Sequence, residues 1–259
     1  MAINPADISA FLSAYLWPFF RIAALVGAAP LLGTQSVPVR IRIGMALALT
    51  AVIVPVIPAA PAADLFGATG VVITVQQVLI GLAMGFSLQL VFGAFVFAGQ
   101  LIGTTMGLGF ASLNDPVTGV VVPTVSQFYT VMVTLLFLAL NGHLVLIEVL
   151  ADSFHSLPVG ARGLSATGLW ELVGWASHLF SGAVLIALPA MAALLVVNIG
   201  FGVVTRAAPQ INVFAVGFPV TLMLGLLVMW ITLPSVLPQL NTLLEDVFLF
   251  MRHLVEPEN

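Results

Sequence analysis

The sequence predicts an all-α, polytopic membrane protein, and three observations support this fold class. Apolar residues make up 61% of the 259 positions, charged residues make up 6%, and the mean hydropathy is +1.21. All six basic residues are arginine, and no charged side chain occurs in the 50 positions between Asp64 and Asp115. A soluble domain carries about 25% charged residues, so this composition cannot supply an ordinary water-facing surface.

Composition and motifs also exclude several classes of function. The formal charge of −4 is scattered and forms no basic patch, which argues against nucleic-acid binding. The chain has no cysteine, which excludes a disulfide framework and a thiolate site. Patterns of the HExxH, GxSxG and GxGxxG types are absent, so we predict no catalytic residue, no metal site and no cofactor. The amino terminus carries Asp7 and no basic region, and no cleavable signal peptide is predicted.

Six hydrophobic stretches emerge when the chain is divided at charges and at Pro, Gly and Asp clusters. A helix needs about 20 apolar residues to cross a membrane, so each stretch is nominally long enough. The third and fifth are too long for one simple crossing, and must tilt, kink, fold back or leave the bilayer. The residues that follow the last stretch are predicted to be a solvated tail. The stretches cover 8–32, 42–59, 71–104, 124–150, 172–204 and 212–238.

Arginines within and between the stretches indicate that protein contacts help to place the chain. Six crossings would put three arginines on one side and two on the other, so the positive-inside rule gives no orientation. Arg21 lies near the middle of the first stretch, where a charge costs about 2.5–3.5 kcal/mol on insertion scales. It either snorkels to an interface or faces an enclosed polar neighbourhood, and the nearby Pro18 favours the second reading.

Glycines at four-residue spacing predict a close helix seam. Gly81 and Gly85 form one GxxxG pair, and Gly99, Gly103 and Gly107 form two more in register. Each glycine inside a helix costs about 1 kcal/mol relative to alanine, so such a ladder needs compensation from close backbone approach.

The segment GTTMGLGFASLNDP, residues 103–116, breaks the helical pattern. Its glycines, its Asn-Asp pair and Pro116 all disfavour a continuing helix, which we expect to restart near Pro123 and Thr124. Loops of this length inside compact structures are uncommon and usually functional, although a surface connector is the simpler alternative. Apolar side chains such as Leu108 and Phe110 suit a flexible stopper that excludes water from a pore.

These patterns together resemble the FliR family, the R subunit of the flagellar type III export gate. The resemblance covers nearly the whole chain, including WPFFRIAALVGAAPLLG, VPVRIRIGMALALT, AGQLIGTTMGLGFASLNDP and NGHLVLIEVL. The most specific part is LPAMAALLVVNIGFGVVTRAAPQINVFAVGFP, where seven distinctive residues occur together: Arg206, Pro209, Gln210, Asn212, Phe214, Gly217 and Pro219. One departure is that Thr104 and Thr105 replace the acidic residue and glutamine that usually precede the central Met-Gly.

The resemblance implies a single export-gate subunit over residues 1–259, with kinked helical hairpins and a central plug loop at about 105–122. Such a subunit assembles with P and Q subunits, and with the B switch protein and the A export component, at the centre of the flagellar basal body in the bacterial inner membrane. It passes unfolded flagellar proteins and is not an enzyme. The plug would comprise Met106, Gly107, Leu108, Gly109, Phe110, Ala111, Ser112, Leu113, Asn114, Asp115 and Pro116. Subunit packing would involve Arg21, Gly81, Gly85, Gly99, Gly103, Arg206, Pro209, Asn212, Phe214, Gly217 and Pro219.

Three alternatives stay open at this stage. The T subunit of a virulence secretion system is similar in plan to the flagellar protein. A secondary transporter would use broken helices to bind a small solute, but the chain shows no clear inverted repeat and few intramembrane carboxylates. A purely structural scaffold without a pore is the third alternative.

Overall fold

The computed structural model describes residues 5–33, 37–61, 67–108, 124–207 and 213–256. Within these ranges the regular structure is entirely helical, which confirms the predicted all-α class. Short 3-10 turns at Val54–Val56 and Leu233–Ser235 each contain a proline. The α-helices are α1 (Pro5–Ala28), α2 (Val39–Ile53), α3 (Ala68–Thr105), α4 (Thr124–Ala139), α5 (Gly142–Ser156), α6 (Ala166–Ala207), α7 (Val213–Thr232) and α8 (Val236–Leu254).

Several helical segments are long and apolar enough to cross a membrane. There are four in the described part of the chain, or five if α4 and α5 count as one broken span. The apolar part of α1, Ser13–Ala28, is shorter than a full span. The polytopic membrane class is therefore confirmed. The four segments are Val39–Val56, Ala68–Thr105, Ala166–Ala207 and Val216–Leu254.

The two overlong stretches form continuous helices. Helix α3 has 38 residues and α6 has 42, so at about 1.5 Å per residue they reach roughly 57 and 63 Å. Folding back, one of the options that the sequence left open for the third stretch, is thereby excluded for α3. Pro189 lies inside α6 without ending it.

The fourth predicted stretch is divided by a turn that the sequence analysis missed. Asn141 separates α4 from α5 and adopts a left-handed backbone conformation, with φ of 57°. Its carbonyl accepts hydrogen bonds from the N–H groups of Leu144, at 2.8 Å, and Val145, at 3.2 Å, which begin α5. Asparagine tolerates the left-handed region better than most residues, so one Asn-Gly step interrupts an otherwise apolar run.

The carboxyl tail corrects a second expectation, because it is a helix with a buried face instead of a solvated end. Leu240, Leu244, Val247, Met251 and Leu254 of α8 are all buried, at alternating spacings of four and three residues. This spacing defines one face of an amphipathic helix. The charged residues of the tail that the structure describes lie on the exposed side: Glu245, Asp246, Arg252 and Glu256.

Two compact units make up the fold, and each is built from separate segments of the chain. The first unit comprises Met1–Leu90, Leu140–Ala176 and Leu244–Asn259. Its core includes Trp17, whose indole N–H donates a 3.2 Å hydrogen bond to Thr74. Near the carboxyl end of this unit, the rings of Trp175 and Phe250 stack 4.7 Å apart.

The second unit comprises Val91–Ala139 and Ser177–Leu243. Aromatic contacts join α3 to α4 and to α6 inside it. Phe92 meets Phe137 edge to face at 5.5 Å, and Phe97 meets Phe180 at 5.6 Å. The end of α3, where the plug is predicted to begin, belongs to this unit.

Candidate plug site at the end of helix α3

Arg21 is fully buried in the first unit, in the enclosed polar neighbourhood that the sequence favoured over snorkelling. Its Nε donates to Oε1 of Gln77 at 2.8 Å. Its Nη1 donates to the carbonyl and the hydroxyl of Ser153, at 2.8 and 3.1 Å, and its Nη2 donates to the carbonyl of Leu157 at 2.8 Å. The guanidinium also lies over the ring of Phe154, 4.1 Å from the centroid. All these acceptors are neutral, and three of the hydrogen bonds reach the carboxyl end of α5.

The first glycine pair of α3 lies directly against α1. A Cβ built on Gly81 would overlap the backbone carbonyl of Arg21 and come within 2.9 Å of the Cβ of Ala24. At Gly85 it would lie 2.6 Å from the Cβ of Ala28. This seam lies within one chain, and packing of these two glycines between subunits stays a prediction.

The second glycine series of α3 meets α4 unevenly. A Cβ on Gly99 would lie 2.6 Å from the Cα of Ser126, whereas at Gly103 the nearest atom would be a side-chain carbon of Val125 at 3.6 Å. The hydroxyl of Ser126 donates a 2.8 Å hydrogen bond to the carbonyl of Val96 across the same contact. Close backbone approach is therefore required at Gly99 and not at Gly103.

The remaining residues predicted for subunit packing fall in the last turn of α6, in the first two turns of α7, or between these helices in the sequence. Arg206 is exposed in the last turn of α6. In α7, Gly217 is buried and Pro219 is exposed within the helix, while Phe214 belongs to its first turn. Pro209 and Asn212 lie outside the described residues. A role of these residues between subunits stays a prediction.

Helix α3 ends just before the predicted plug. The N–H of Met106 still bonds to the carbonyl of Ile102 at 2.9 Å, but the N–H of Gly107 bonds to Thr104 at 3.0 Å, as in a tighter turn. Gly107 then adopts a φ of 85°, which few residues other than glycine accept. Of the predicted plug residues, the structure describes Met106, Gly107 and Leu108. Those outside the described residues are Gly109, Phe110, Ala111, Ser112, Leu113, Asn114, Asp115 and Pro116.

Met106 is anchored on α7, in a contact that sequence reasoning did not find. Its side chain is buried and covers Gly225 so closely that a Cβ there would lie 2.5–2.8 Å from three of its atoms. The hydroxyl of Thr221 donates to the carbonyl of Met106 at 3.3 Å. Thr221 and Gly225 are four residues apart and share one face of α7, which is the only sequence signal that could have indicated them.

Two cavities border the end of α3. The first has a volume of about 440 Å³ and is lined mainly by threonines and glycines, with Phe201 and Phe218. The threonines are Thr104, Thr105, Thr205 and Thr221, and the glycines include Gly107. The second, of about 450 Å³, is more apolar and is lined by Met106, Leu108, Phe128, Leu226, Met229 and Trp230, among others. Both cavities offer space beside the first residues of the predicted plug, and the second offers mainly apolar contacts.

Thr104 and Thr105, which depart from the family pattern, bond mainly to their own helix. The hydroxyl of Thr104 donates to the carbonyl of Gln100 at 2.8 Å, and that of Thr105 to the carbonyl of Ile102 at 2.8 Å. Among the described residues, no group of three or more His, Asp or Glu side chains could hold a metal ion.

Comparisons with known proteins agree with the resemblance seen in the sequence. The family described as bacterial export proteins, family 1, matches residues 12–247. The chain is 37% identical to the flagellar biosynthetic protein FliR of Escherichia coli strain K12, over 95% of this chain and 94% of that protein. It is 36% identical to FliR of Pectobacterium carotovorum, over 96% and 95% of the two chains. FliR of Aquifex aeolicus is 31% identical, over 95% of each chain.

Proposed function

This chain belongs to the FliR family of bacterial export proteins, and we propose that it is a subunit of the flagellar protein export apparatus that helps to form and seal its channel. The observation that carries this proposal is similarity to FliR along almost the whole chain, through both compact units. The apolar helices place the subunit in a membrane, which we propose to be the bacterial inner membrane at the centre of the flagellar basal body.

The proposed role is passive and involves no covalent chemistry in this chain. P and Q subunits would complete the channel, the B switch protein and the A export component would contact it, and unfolded flagellar proteins would pass through it. Exposed apolar faces on α2, α6 and α7 support the expectation of apolar surroundings, since residues such as Val52, Val196 and Met223 are at least 70% exposed in the isolated chain. Such faces are covered either by lipid or by neighbouring subunits.

The plug, Met106 to Pro116, is the proposed sealing element. Support comes from its first residues: Met106 is fixed by α7, the chain leaves the helix at Gly107, and Leu108 lines the apolar cavity. A hydrophobic constriction excludes water and ions by dewetting, which suits this composition.

Deletion of Gly107 to Leu113 tests the sealing role. We expect cells with the shortened protein to leak ions or small molecules, because the apolar stopper is removed while the helices remain. Conductance of the purified complex in a planar bilayer provides the second measurement. Unchanged leakage from a complex that contains all its subunits would contradict the sealing role.

A further inference from the structure

The last carbonyl groups of a helix lack hydrogen-bond donors within the helix. At the end of α3, a side chain of α7 donates to one of them. The carbonyl of Met106 accepts a hydrogen bond from the hydroxyl of Thr221 at 3.3 Å. The same hydroxyl lies 3.0 Å from the carbonyl of Phe218 in its own helix, so the two carbonyls share one donor. Thr221 is 7% exposed and Met106 is 1% exposed, so water does not compete strongly for this hydrogen bond.

Gly225 provides the second half of the contact. The Cγ, Cε and Sδ atoms of Met106 occupy the space that a Cβ on Gly225 would need, at 2.5, 2.7 and 2.8 Å. Glycine inside a helix is unfavourable relative to alanine, and at this position the Met106 side chain fills the space that the missing Cβ leaves. The absence of a side chain at position 225 thus leaves the space that the Met106 side chain fills.

Met106 borders free space as well as Gly225. The apolar cavity of about 450 Å³ is lined by Met106 itself together with Leu222 and Leu226. A methionine has three flexible torsions, and the Met106 side chain borders both the contact with Gly225 and this cavity. The hydrogen bond from Thr221 and the space left by Gly225 hold this residue against α7.

We propose that Thr221 and Gly225 are positioning residues that fix the first residue of the plug, Met106, on α7. The inference rests on the proposed sealing function, and it adds that α7 determines where the segment after Gly107 begins. Loosening this anchor would change the position of Leu108, two residues after Met106, before any change in the rest of the assembly.

The test uses the full export complex and a single cysteine in this chain. Because the chain has no native cysteine, Leu108→Cys provides a unique site in it for a maleimide reagent. We expect Gly225→Ala and Thr221→Val each to raise the labelling rate at position 108 by about fivefold, the effect of losing one net hydrogen bond or its equivalent. Thr221→Ser keeps the hydroxyl and should restore the original rate. Gly200→Ala is the matched glycine control, because a Cβ there meets no atom within 4 Å.

The outcomes separate this inference from the sealing function. Equal labelling rates in Thr221→Val and Thr221→Ser would overturn the anchor, even if deletion of Gly107 to Leu113 causes leakage. Faster labelling in Thr221→Val together with no leakage from the deletion would keep the anchor and contradict the seal. Thr221→Val changes the side-chain volume little, so it decides the question if Gly225→Ala prevents assembly.

Discussion

Arg21 donates a 2.8 Å hydrogen bond to the carbonyl of Leu157, a residue 136 positions further along the chain. The same guanidinium reaches the carbonyl of Ser153 in the last turn of α5. The carboxyl end of a helix carries a partial negative charge and unpaired carbonyl groups, both of which favour a cation. Arg21 therefore joins α1 to the end of α5 within one compact unit.

Replacement of this arginine by lysine tests whether the planar guanidinium, with its several N–H donors, is required. Arg21→Lys keeps the charge, but an ammonium group cannot reach Gln77, Ser153 and Leu157 together. We expect the free energy of unfolding to fall by about 1–3 kcal/mol, because at least one buried acceptor among Gln77, Ser153 and Leu157 loses its hydrogen bond to this side chain. Denaturant titration of the purified chain in detergent measures the change. Arg162→Lys, at an exposed position, is the control, and an equal loss in both variants would contradict the role of Arg21.

A methyl group on the α1–α3 seam should be costly. Gly81→Ala would push a Cβ into the backbone carbonyl of Arg21, which cannot move without the helix, so we expect a loss of about 1–3 kcal/mol. Gly200→Ala has open space and should be neutral or stabilising by up to about 1 kcal/mol. Thermal unfolding of both variants, measured side by side, would show the difference. A stable Gly81→Ala variant would mean that the two helices do not approach closely.

The contact between α3 and α4 provides an internally matched pair. Gly99→Ala brings a Cβ within 2.6 Å of the backbone of Ser126 and should destabilise the chain, again by about 1–3 kcal/mol. Gly103→Ala, one turn later, has only an ordinary contact at 3.6 Å and should be tolerated. Unfolding of the two variants in the same detergent is the measurement. If both lost equal stability, close approach at Gly99 would not be the cause.

Shortening a side chain on the buried face of α8 should lower the stability of the chain, whereas shortening one on the exposed face should not. Val247 is fully buried, whereas Leu249, on the same helix, is 65% exposed. Val247→Ala should cost about 1–3 kcal/mol through lost burial and a residual cavity. Leu249→Ala should cost little in the isolated chain. Proteolysis of the carboxyl end reports on this helix directly, and faster cleavage only in Leu249→Ala would contradict the assignment.

The sequence predicted the fold class because composition alone excludes a soluble surface. It also predicted that Arg21 would be enclosed, since a charge inside an apolar helix needs polar partners. It did not predict those partners. The carbonyls of Ser153 and Leu157 belong to the backbone and leave no pattern in the side chains, and the side-chain acceptors of Gln77 and Ser153 are 56 and 132 positions away from Arg21. The family followed from motifs spread over the whole chain, and the comparisons confirm it.

Two features were readable in the sequence and were missed. The Asn-Gly step at Asn141 is a turn signal, but averaging over a hydrophobic window conceals a single left-handed residue. The spacing of Leu240, Leu244, Val247 and Met251 marks an amphipathic helix, which the charges of the tail obscured. The packing of Met106 on Gly225 is a long-range contact without a local pattern, so it required coordinates.

The acceptors of Arg21 have an evolutionary consequence. Any amino acid except those that distort the local main chain can stand at position 157 and still offer its carbonyl oxygen to the guanidinium. Paired substitutions between this position and Arg21 should therefore not arise among homologues. Methods that infer proximity from correlated changes would overlook this buried interaction.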